Sequence, residues 1–230
     1  ESHRQFAHLL DQFIGFHTLL LADHIAQDAS KQADVFHQRA FVVARTALGG
    51  NFFTVNLDNA RAAFERMPWV RSASLRRLWP DGVELSIEEH QAVARWTQME
   101  GEPRLVNRQG EVFAANTEDP LPRLTGPEGS AMRVLERYRA FSEALAPTGR
   151  KPVAVHLSAR EAWQVKLDDG VTLELGRDQP KHPLAERLDR YASNYAAASA
   201  AVKGRLPVIG TVDMRYPNGF ALRPRTAGQS

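Results

Sequence analysis

The sequence predicts an α+β fold, in which a small helix–helix–strand–strand module precedes a larger mixed β domain with two packed helices. Alternating apolar and polar residues predict the strands. The pattern is regular in Val83–Glu89, and again in Trp163–Leu167 and Val171–Leu175, which flank an Asp168-Asp169-Gly170 turn. Apolar residues at helical spacing around these strands predict the helices.

The composition is that of a globular protein. Hydrophobic residues make up 43% and charged residues 24% of the 230 residues, which argues against disorder. The 29 Lys+Arg and 27 Asp+Glu leave a net charge of +2, which does not indicate nucleic-acid binding. The absence of cysteine excludes disulfides, cysteine-ligated zinc and a thiol nucleophile. It also excludes iron–sulfur clusters held by cysteine, and we expect no cofactor.

Residues 1–40 are predicted to be helical, because apolar residues recur there at three- and four-residue spacing. These residues are Phe6, Leu9, Leu10, Phe13, Leu20 and Leu21. The most apolar run, Phe13–Ala22, is shorter than the roughly 20 residues that a membrane span needs. The start of the chain also lacks the basic region of a signal peptide.

Residues 41–50 are predicted to form a short helix that ends at Gly49-Gly50. A second helix is predicted from an N-cap at Asp58 to Pro68. Two strands follow around a turn at Pro80-Asp81-Gly82. These strands are Val70–Trp79 and Val83–Glu89.

Strands and turns predominate after Ala92. Pro120–Gly129, with three prolines, is predicted to be a loop, and Ser130 is predicted to cap a helix that ends before Pro147. The other predicted elements are strands at Ala92–Trp96 and Val153–Leu157, hairpins at Leu105–Phe113 and Trp163–Leu175, a helix at Pro183–Ala200, a strand at Val208–Met214 and an extended Phe220–Arg223.

No motif of a known chemistry is present. The sequence contains no phosphate-binding loop, dinucleotide fingerprint or nucleophile elbow. Glu88-Glu89-His90 lacks a second histidine one helical turn away and ends a strand. His17 and His24 would be separated by a rise of roughly 10 Å along a helix, which is too far for one metal ion. These observations favour neither a catalytic nor a metal site.

Three arginines and a nearby tryptophan allow two interpretations. Arg71, Arg76, Arg77 and Trp79 could form a nucleic-acid patch with a stacking ring. Alternatively, they lie on the solvated face of a strand, where the arginine stems cover apolar surface. The near-neutral net charge favours the solvated face.

Gly49–Trp96 resembles the POTRA domain of the FtsQ/DivIB family of bacterial cell-division proteins. The most specific segments are Gly50-Asn51-Phe52-Phe53, Met67-Pro68-Trp69-Val70 and Arg76-Arg77-Leu78-Trp79-Pro80. The segment to Phe220 is similar to the β domain of this family, at Leu105-Val106-Asn107, Leu121–Gly126, Leu157–Arg160, Leu175-Gly176-Arg177 and Asp213–Phe220. The motifs are of the proteobacterial type.

The resemblance implies a domain organisation. Residues 41–92 would form the POTRA domain, residues 93–223 the β domain and residues 224–230 a flexible tail, whereas residues 1–40 match neither. A POTRA domain begins with a strand before its first helix. The resemblance places this strand near Lys31–Arg39, a segment that has no alternating pattern.

The function implied by the resemblance is that of a non-catalytic divisome scaffold. Such a protein is anchored in the inner membrane by a single span, with this region in the periplasm at the division septum. It would bind FtsB and FtsL and link indirectly to the septal peptidoglycan synthases FtsW and FtsI. A polypeptide-transport or chaperone-like module that binds client strands is the alternative that the POTRA resemblance alone leaves open.

The resemblance also implies which residues bind the partner. The last strand would be an edge that receives a strand from FtsB by β-augmentation. Arg160 matches a family arginine that pairs with an acidic residue of FtsB. On the residues alone, Tyr216–Gly219 could simply be a turn. The residues that match the edge are Arg215, Tyr216, Asn218, Gly219, Phe220 and Ala221.

Overall fold

Two compact units, Glu1–Gln91 and Ala92–Ser230, make up the chain in the computed structural model. The structure describes residues 18–22, 55–80, 82–98, 102–202, 209–216 and 219–225. For residues 18–22 and 196–202 it describes the backbone alone.

The first unit contains a three-stranded sheet with β3 at its centre. Strand β3 pairs with β1 in parallel and with β2 in antiparallel orientation. The described elements are β1 (Thr18–Ala22), α1 (Leu57–Glu65), β2 (Val70–Leu78) and β3 (Gly82–Glu89).

The two faces of β3 differ as the alternation predicts. Val83, Leu85 and Ile87 are buried, and Ala60 and Phe64 of α1 contribute to the same apolar core. On the opposite face, side chains of neighbouring strands form ion pairs. Arg71 Nη1 lies 2.6 Å from Glu88 Oε1, and Arg76 pairs with Glu84. These pairs support the solvated-face interpretation for Arg71 and Arg76. Arg77 lies opposite Val83 in the ladder, on the other face of the strand, and donates a hydrogen bond of 2.6 Å to the Val55 carbonyl.

The prediction of a helix over residues 1–40 is wrong at Thr18–Ala22, where the backbone is a strand. The physical reason is pairing, because residues 18–22 complete a hydrogen-bonded ladder along β3. The strand expected near residues 31–39 and the helix predicted at residues 41–50 lie outside the described residues.

The N-cap of α1 is Asn56, two residues before the predicted Asp58. The side chain of Asn56 accepts a hydrogen bond of 3.0 Å from the backbone N–H of Asn59. Asp58 lies in the first turn of the helix, where its negative charge interacts favourably with the positive end of the helix dipole. Asparagine and aspartate are both common N-cap residues, and the hydrogen bond to the Asn59 N–H identifies Asn56 as the cap of this helix.

In the described residues, the second unit consists of a nine-stranded mixed sheet, two α-helices and a short 3-10 helix at Ala146–Thr148. The sheet order is β12-β11-β10-β9-β8-β7-β4-β5-β6. Its elements are β4 (Ala92–Gln98), β5 (Arg104–Asn107), β6 (Val112–Phe113), β7 (Arg123–Gly126), α2 (Ala131–Leu145), β8 (Pro152–Leu157), β9 (Ala162–Leu167), β10 (Thr172–Arg177), α3 (Leu184–Val202), β11 (Ile209–Asp213) and β12 (Ala221–Pro224).

The core of this unit lies between the sheet and its helices. Helix α2 packs against β7 and β8, and α3 packs against β10. Phe141 of α2 meets Trp163 of β9 edge to face, with ring centroids 5.7 Å apart. Trp96, Leu124 and other apolar side chains complete the same buried cluster. The α+β fold class predicted from the sequence is confirmed.

Strand β7 lies inside the segment Pro120–Gly129 that was predicted to be a loop. It pairs in parallel with both β4 and β8, so it is a central strand. Its prolines stand outside the four-residue ladder, and the Pro122 carbonyl accepts a hydrogen bond of 2.8 Å from the Arg95 N–H. Proline therefore bounds this strand without interrupting its donors.

No helix in the described part of the chain combines the length and the hydropathy needed to cross a bilayer.

The edge-to-face contact of Phe141 gives a test of the core. We expect Phe141→Ala to lower the free energy of unfolding of the second unit by about 3–5 kcal/mol, because it leaves a cavity beside Trp163. Urea unfolding followed by tryptophan fluorescence measures the loss. Glu136→Ala is the control, since Glu136 lies exposed on the same helix and should change stability by about 0.5 kcal/mol or less. Equal losses in the two variants would contradict this view of the core.

Candidate functional site

Strand β12 is the outermost strand at one edge of the nine-stranded sheet. It pairs with β11 on one side, with Ala221 opposite Asp213 and Leu222 opposite Val212. Among the described residues, no strand pairs with its other side. Unpaired backbone groups at such an edge are available to a strand from another chain.

The residues predicted to bind a partner lie on β12 and on the connection that leads to it. Tyr216 is exposed over 54% of its surface, and a side chain at Gly219 would meet no described atom within 4 Å. The Phe220 ring turns inward and contacts Tyr191, with centroids 6.1 Å apart. Ala221 begins β12. Asn218 lies outside the described residues.

Arg215 forms a two-pronged ion pair with the buried Asp213. Its Nε lies 2.8 Å from Asp213 Oδ1, and its Nη2 lies 2.6 Å from Oδ2. Arg223 of β12 adds a longer contact of 3.4 Å from Nη2 to Oδ2. The Asp213 side chain has no exposed surface, whereas those of Arg215 and Arg223 are 57% and 61% exposed.

The ion pair changes the titration of both groups. Hydrogen bonding from the Arg215 side chain lowers the pKa of Asp213, although burial opposes this effect. The same hydrogen bond raises the pKa of Arg215 further above its ordinary value. Both groups therefore remain charged at neutral pH.

A glycine in β10 makes room for the stem of Arg215. Gly176 has a φ of +73°, and a Cβ there would lie 2.9 Å from Arg215 Cγ. The register of β10 against β9 shifts between Glu174 and Gly176, which marks a β-bulge. The bulge and the missing side chain together seat Arg215 against the sheet.

Arg160 lies exposed in the turn between β8 and β9. The turn is closed by a 3.0 Å hydrogen bond from the Ala162 N–H to Ser158 Oγ. Glu161 adopts a φ of 62° and pairs with Arg133 at 2.9 Å. These contacts fix the backbone on both sides of Arg160.

The strand register places Arg160 and Arg215 at the same end of the sheet. Ala162 lies opposite Arg177, which is near the end of β10 where Glu174 lies opposite Asp213. Three strand spacings separate β9 from β12, and a partner strand paired with the outer side of β12 would lie one spacing further away, about 19 Å from β9 in all. A partner segment that pairs with β12 could therefore reach the Arg160 turn with about six further extended residues.

A second arginine holds the other end of β12. Arg225 Nη2 donates a hydrogen bond of 3.2 Å to the Asp169 carbonyl in the β9–β10 turn. A Cβ at Gly210 would lie 2.8 Å from Arg225 Cα, so the glycine allows the backbone of β11 to approach the backbone at Arg225 closely. Both ends of the short edge strand are thus tied to inner parts of the sheet.

The sequence analysis did not predict that Asp213, Arg223 and Gly176 contribute to this site. Gly176 carried a usable signal, since it follows Val171, Leu173 and Leu175 where the alternation breaks, and a lone glycine in a strand often marks a bulge. Asp213 and Arg223 carried no such signal because their pairing depends on strand register. Among the described residues, no cluster of acidic or histidine side chains could hold a metal ion.

Comparison with known proteins matches both units. The family model described as "Cell division protein FtsQ/DivIB, C-terminal" matches residues 94–215, and "POTRA domain, FtsQ-type" matches residues 42–90. The "Cell division protein FtsQ" of Burkholderia pseudomallei is 45% identical over 188 residues, covering 80% of this chain and 72% of that protein. The protein of the same name from Nitrosospira multiformis is 41% identical over 181 residues, covering 79% and 72%.

The lowered pKa of Asp213 gives the pH dependence a defined sign. The ion pair stabilises the second unit fully above the unfolded pKa, near 3.9, and this contribution is lost as the pH falls through the lower folded pKa. We expect the urea midpoint of the parent chain to fall more steeply between about pH 5 and pH 2 than that of Asp213→Asn. Asp189→Asn, which removes an exposed carboxylate, is the control and should parallel the parent. Parallel curves for Asp213→Asn and the parent would contradict the assignment.

Proposed function

Because this chain belongs to the FtsQ/DivIB family of cell division proteins, we propose that it is a non-catalytic divisome scaffold whose β12 edge binds FtsB, with FtsL in the same complex. It would act in the periplasm at the division septum, with the full-length protein anchored in the inner membrane, and link indirectly to FtsW and FtsI. We retain residues 41–92 as the POTRA domain and residues 93–223 as the β domain.

The observation that carries this proposal is the open edge of β12. Its outer backbone groups have no partner strand among the described residues, and the sheet behind it is pinned by the ion pair of Asp213 with Arg215. A partner strand added there gains main-chain hydrogen bonds without any change in the fold. A rigid edge is a better acceptor than a mobile one, because less order has to be imposed on binding.

The charge around the edge favours an acidic partner segment. Arg215, Arg223 and Arg225 surround β12, and Asp213 is the buried acid that two of them share. Arg160 adds a further exposed cation at the same end of the sheet. Complementary charge of this kind raises the rate of association and selects among strands that would otherwise pair equally well.

The family match favours the divisome scaffold over the alternative of a polypeptide-transport or chaperone-like module. The POTRA match is of the FtsQ type, and the FtsQ/DivIB model covers most of the second unit. We therefore propose that the edge binds one specific partner strand, and that it does not bind a broad set of client strands.

Two substitutions test the edge. We expect Tyr216→Ala and Arg160→Glu each to weaken binding of a periplasmic FtsB segment about tenfold or more. The first removes an exposed aromatic anchor and the second reverses a complementary charge. Isothermal titration with the purified 230-residue chain measures the dissociation constants.

Matched controls are available in the same chain. Trp79 is an aromatic residue that is 84% exposed in the first unit, and Arg104 is an exposed arginine on β5, far from β12 in the sheet. Trp79→Ala and Arg104→Glu should bind as the parent does. Unchanged binding by both edge variants would exclude this edge as the FtsB site.

A further inference from the structure

We propose that Asp213 is a positioning residue for the partner-binding edge, which holds Arg215 in one orientation and ties the β11–β12 connection to β12. This inference rests on the proposed function, since it concerns how the same edge is made ready for a partner. Asp213 itself is fully buried and would not touch the partner.

The hydrogen bonds to Asp213 leave one edge of the Arg215 guanidinium free. Asp213 receives the side-chain Nε and Nη2 of Arg215 and also its backbone N–H, at 3.2 Å. The Nη1 group takes no part in these bonds. A guanidinium carries five N–H donors in a rigid plane, so fixing one side orients the other. The free side belongs to a residue that is more than half exposed.

The same carboxylate joins both sides of the corner through which the chain enters the edge. Asp213 ends β11, and the chain returns at Ala221, directly opposite Asp213 in the ladder. Arg223 reaches back from β12 to Oδ2 of Asp213. Met214, which follows Asp213, is buried, and its N–H donates to the Glu174 carbonyl at 2.9 Å. Tyr216 therefore leaves the sheet from a fixed point.

Gly176 completes the arrangement from the neighbouring strand. Its missing side chain is what allows the Arg215 stem to lie against β10, because a Cβ would meet Cγ at 2.9 Å. The contact is with the stem and not with the charged group. Gly176 and Asp213 thus restrict Arg215 at two separate points along its side chain.

We expect the fixed orientation of Arg215 to increase the affinity for the partner, because the side chain is already ordered before binding. A free arginine side chain loses rotamer entropy when a partner immobilises it, and this loss reduces the affinity. Exposed ion pairs usually contribute little to stability, but here the acceptor is buried and the geometry is two-pronged. The ordering of Arg215 is therefore complete before the partner arrives.

The test compares two variants of the full chain with one matched control. Asp213→Asn keeps the shape and removes the charge, and Gly176→Ala displaces the Arg215 stem. Gly129→Ala is the matched control, because Gly129 has a φ of +74° and a Cβ there would meet nothing within 4 Å. It imposes the same backbone strain without touching Arg215.

Three readouts separate positioning from simple loss of structure. Isothermal titration gives the affinity for the periplasmic FtsB segment, thermal unfolding gives the stability, and ¹⁵N NMR gives the exchange rate of the Arg215 Nε–H. We expect Asp213→Asn and Gly176→Ala to weaken binding about tenfold and to accelerate Nε–H exchange, at temperatures where both are folded. Gly129→Ala should lose stability, while its affinity and its exchange rate stay those of the parent.

The outcomes distinguish this inference from the proposed function. If the parent binds FtsB and both Asp213→Asn and Gly176→Ala bind equally well, the positioning role is wrong and the edge assignment stands. If Gly129→Ala weakens binding as much as Gly176→Ala, strain explains the effect and the positioning role is again wrong. If the parent itself does not bind, the proposed function fails and this inference fails with it. Should Asp213→Asn not fold, the comparison of Gly176→Ala with Gly129→Ala decides the question.

Discussion

The ion pair between Asp213 and Arg215 joins a carboxylate that has no exposed surface to a guanidinium that is more than half exposed. A buried charge without a partner is costly, so Asp213 is stable in its position only while the arginines cover it. Three strands are joined through this ion pair: β11, which ends at Asp213, β12, whose Arg223 side chain reaches the same carboxylate, and β10, where Gly176 makes room for the Arg215 stem. The path of the chain into the edge strand depends on this one contact.

An open sheet edge exposes a protein to unwanted pairing, and the two edges of this sheet limit that exposure differently. At one edge β6 has only two residues, which is too short to offer a ladder. At the other, β12 has four residues and ends at Pro224, which has no N–H to donate. Arginines crowd β12 and discourage cationic or apolar strands. The combination limits the length and the charge of any strand that could pair with this edge.

Local signals decided how much of the fold could be predicted. The β9–β10 hairpin and helix α2 were predicted because alternation, turn residues and helical spacing lie within each element. Strand β1 was missed because its apolar run has no period that separates helix from strand, and its pairing with the distant β3 decides the outcome. Strand β7 was missed because it has only four residues and prolines, which usually indicate a loop, lie on both sides of it. Tyr216 and Arg160 were selected by resemblance, whereas the role of Asp213 needed the register of β12.

The close approach of Gly176 to the Arg215 stem has an evolutionary consequence. The two positions lie on different strands and cannot vary independently, because any side chain at 176 would occupy the space that Arg215 uses. We expect a lineage that loses the glycine to change residue 215 as well, and a lineage that keeps the arginine to keep glycine at 176. Substitutions at the two sites are therefore epistatic, and their order of appearance in a family tree is constrained.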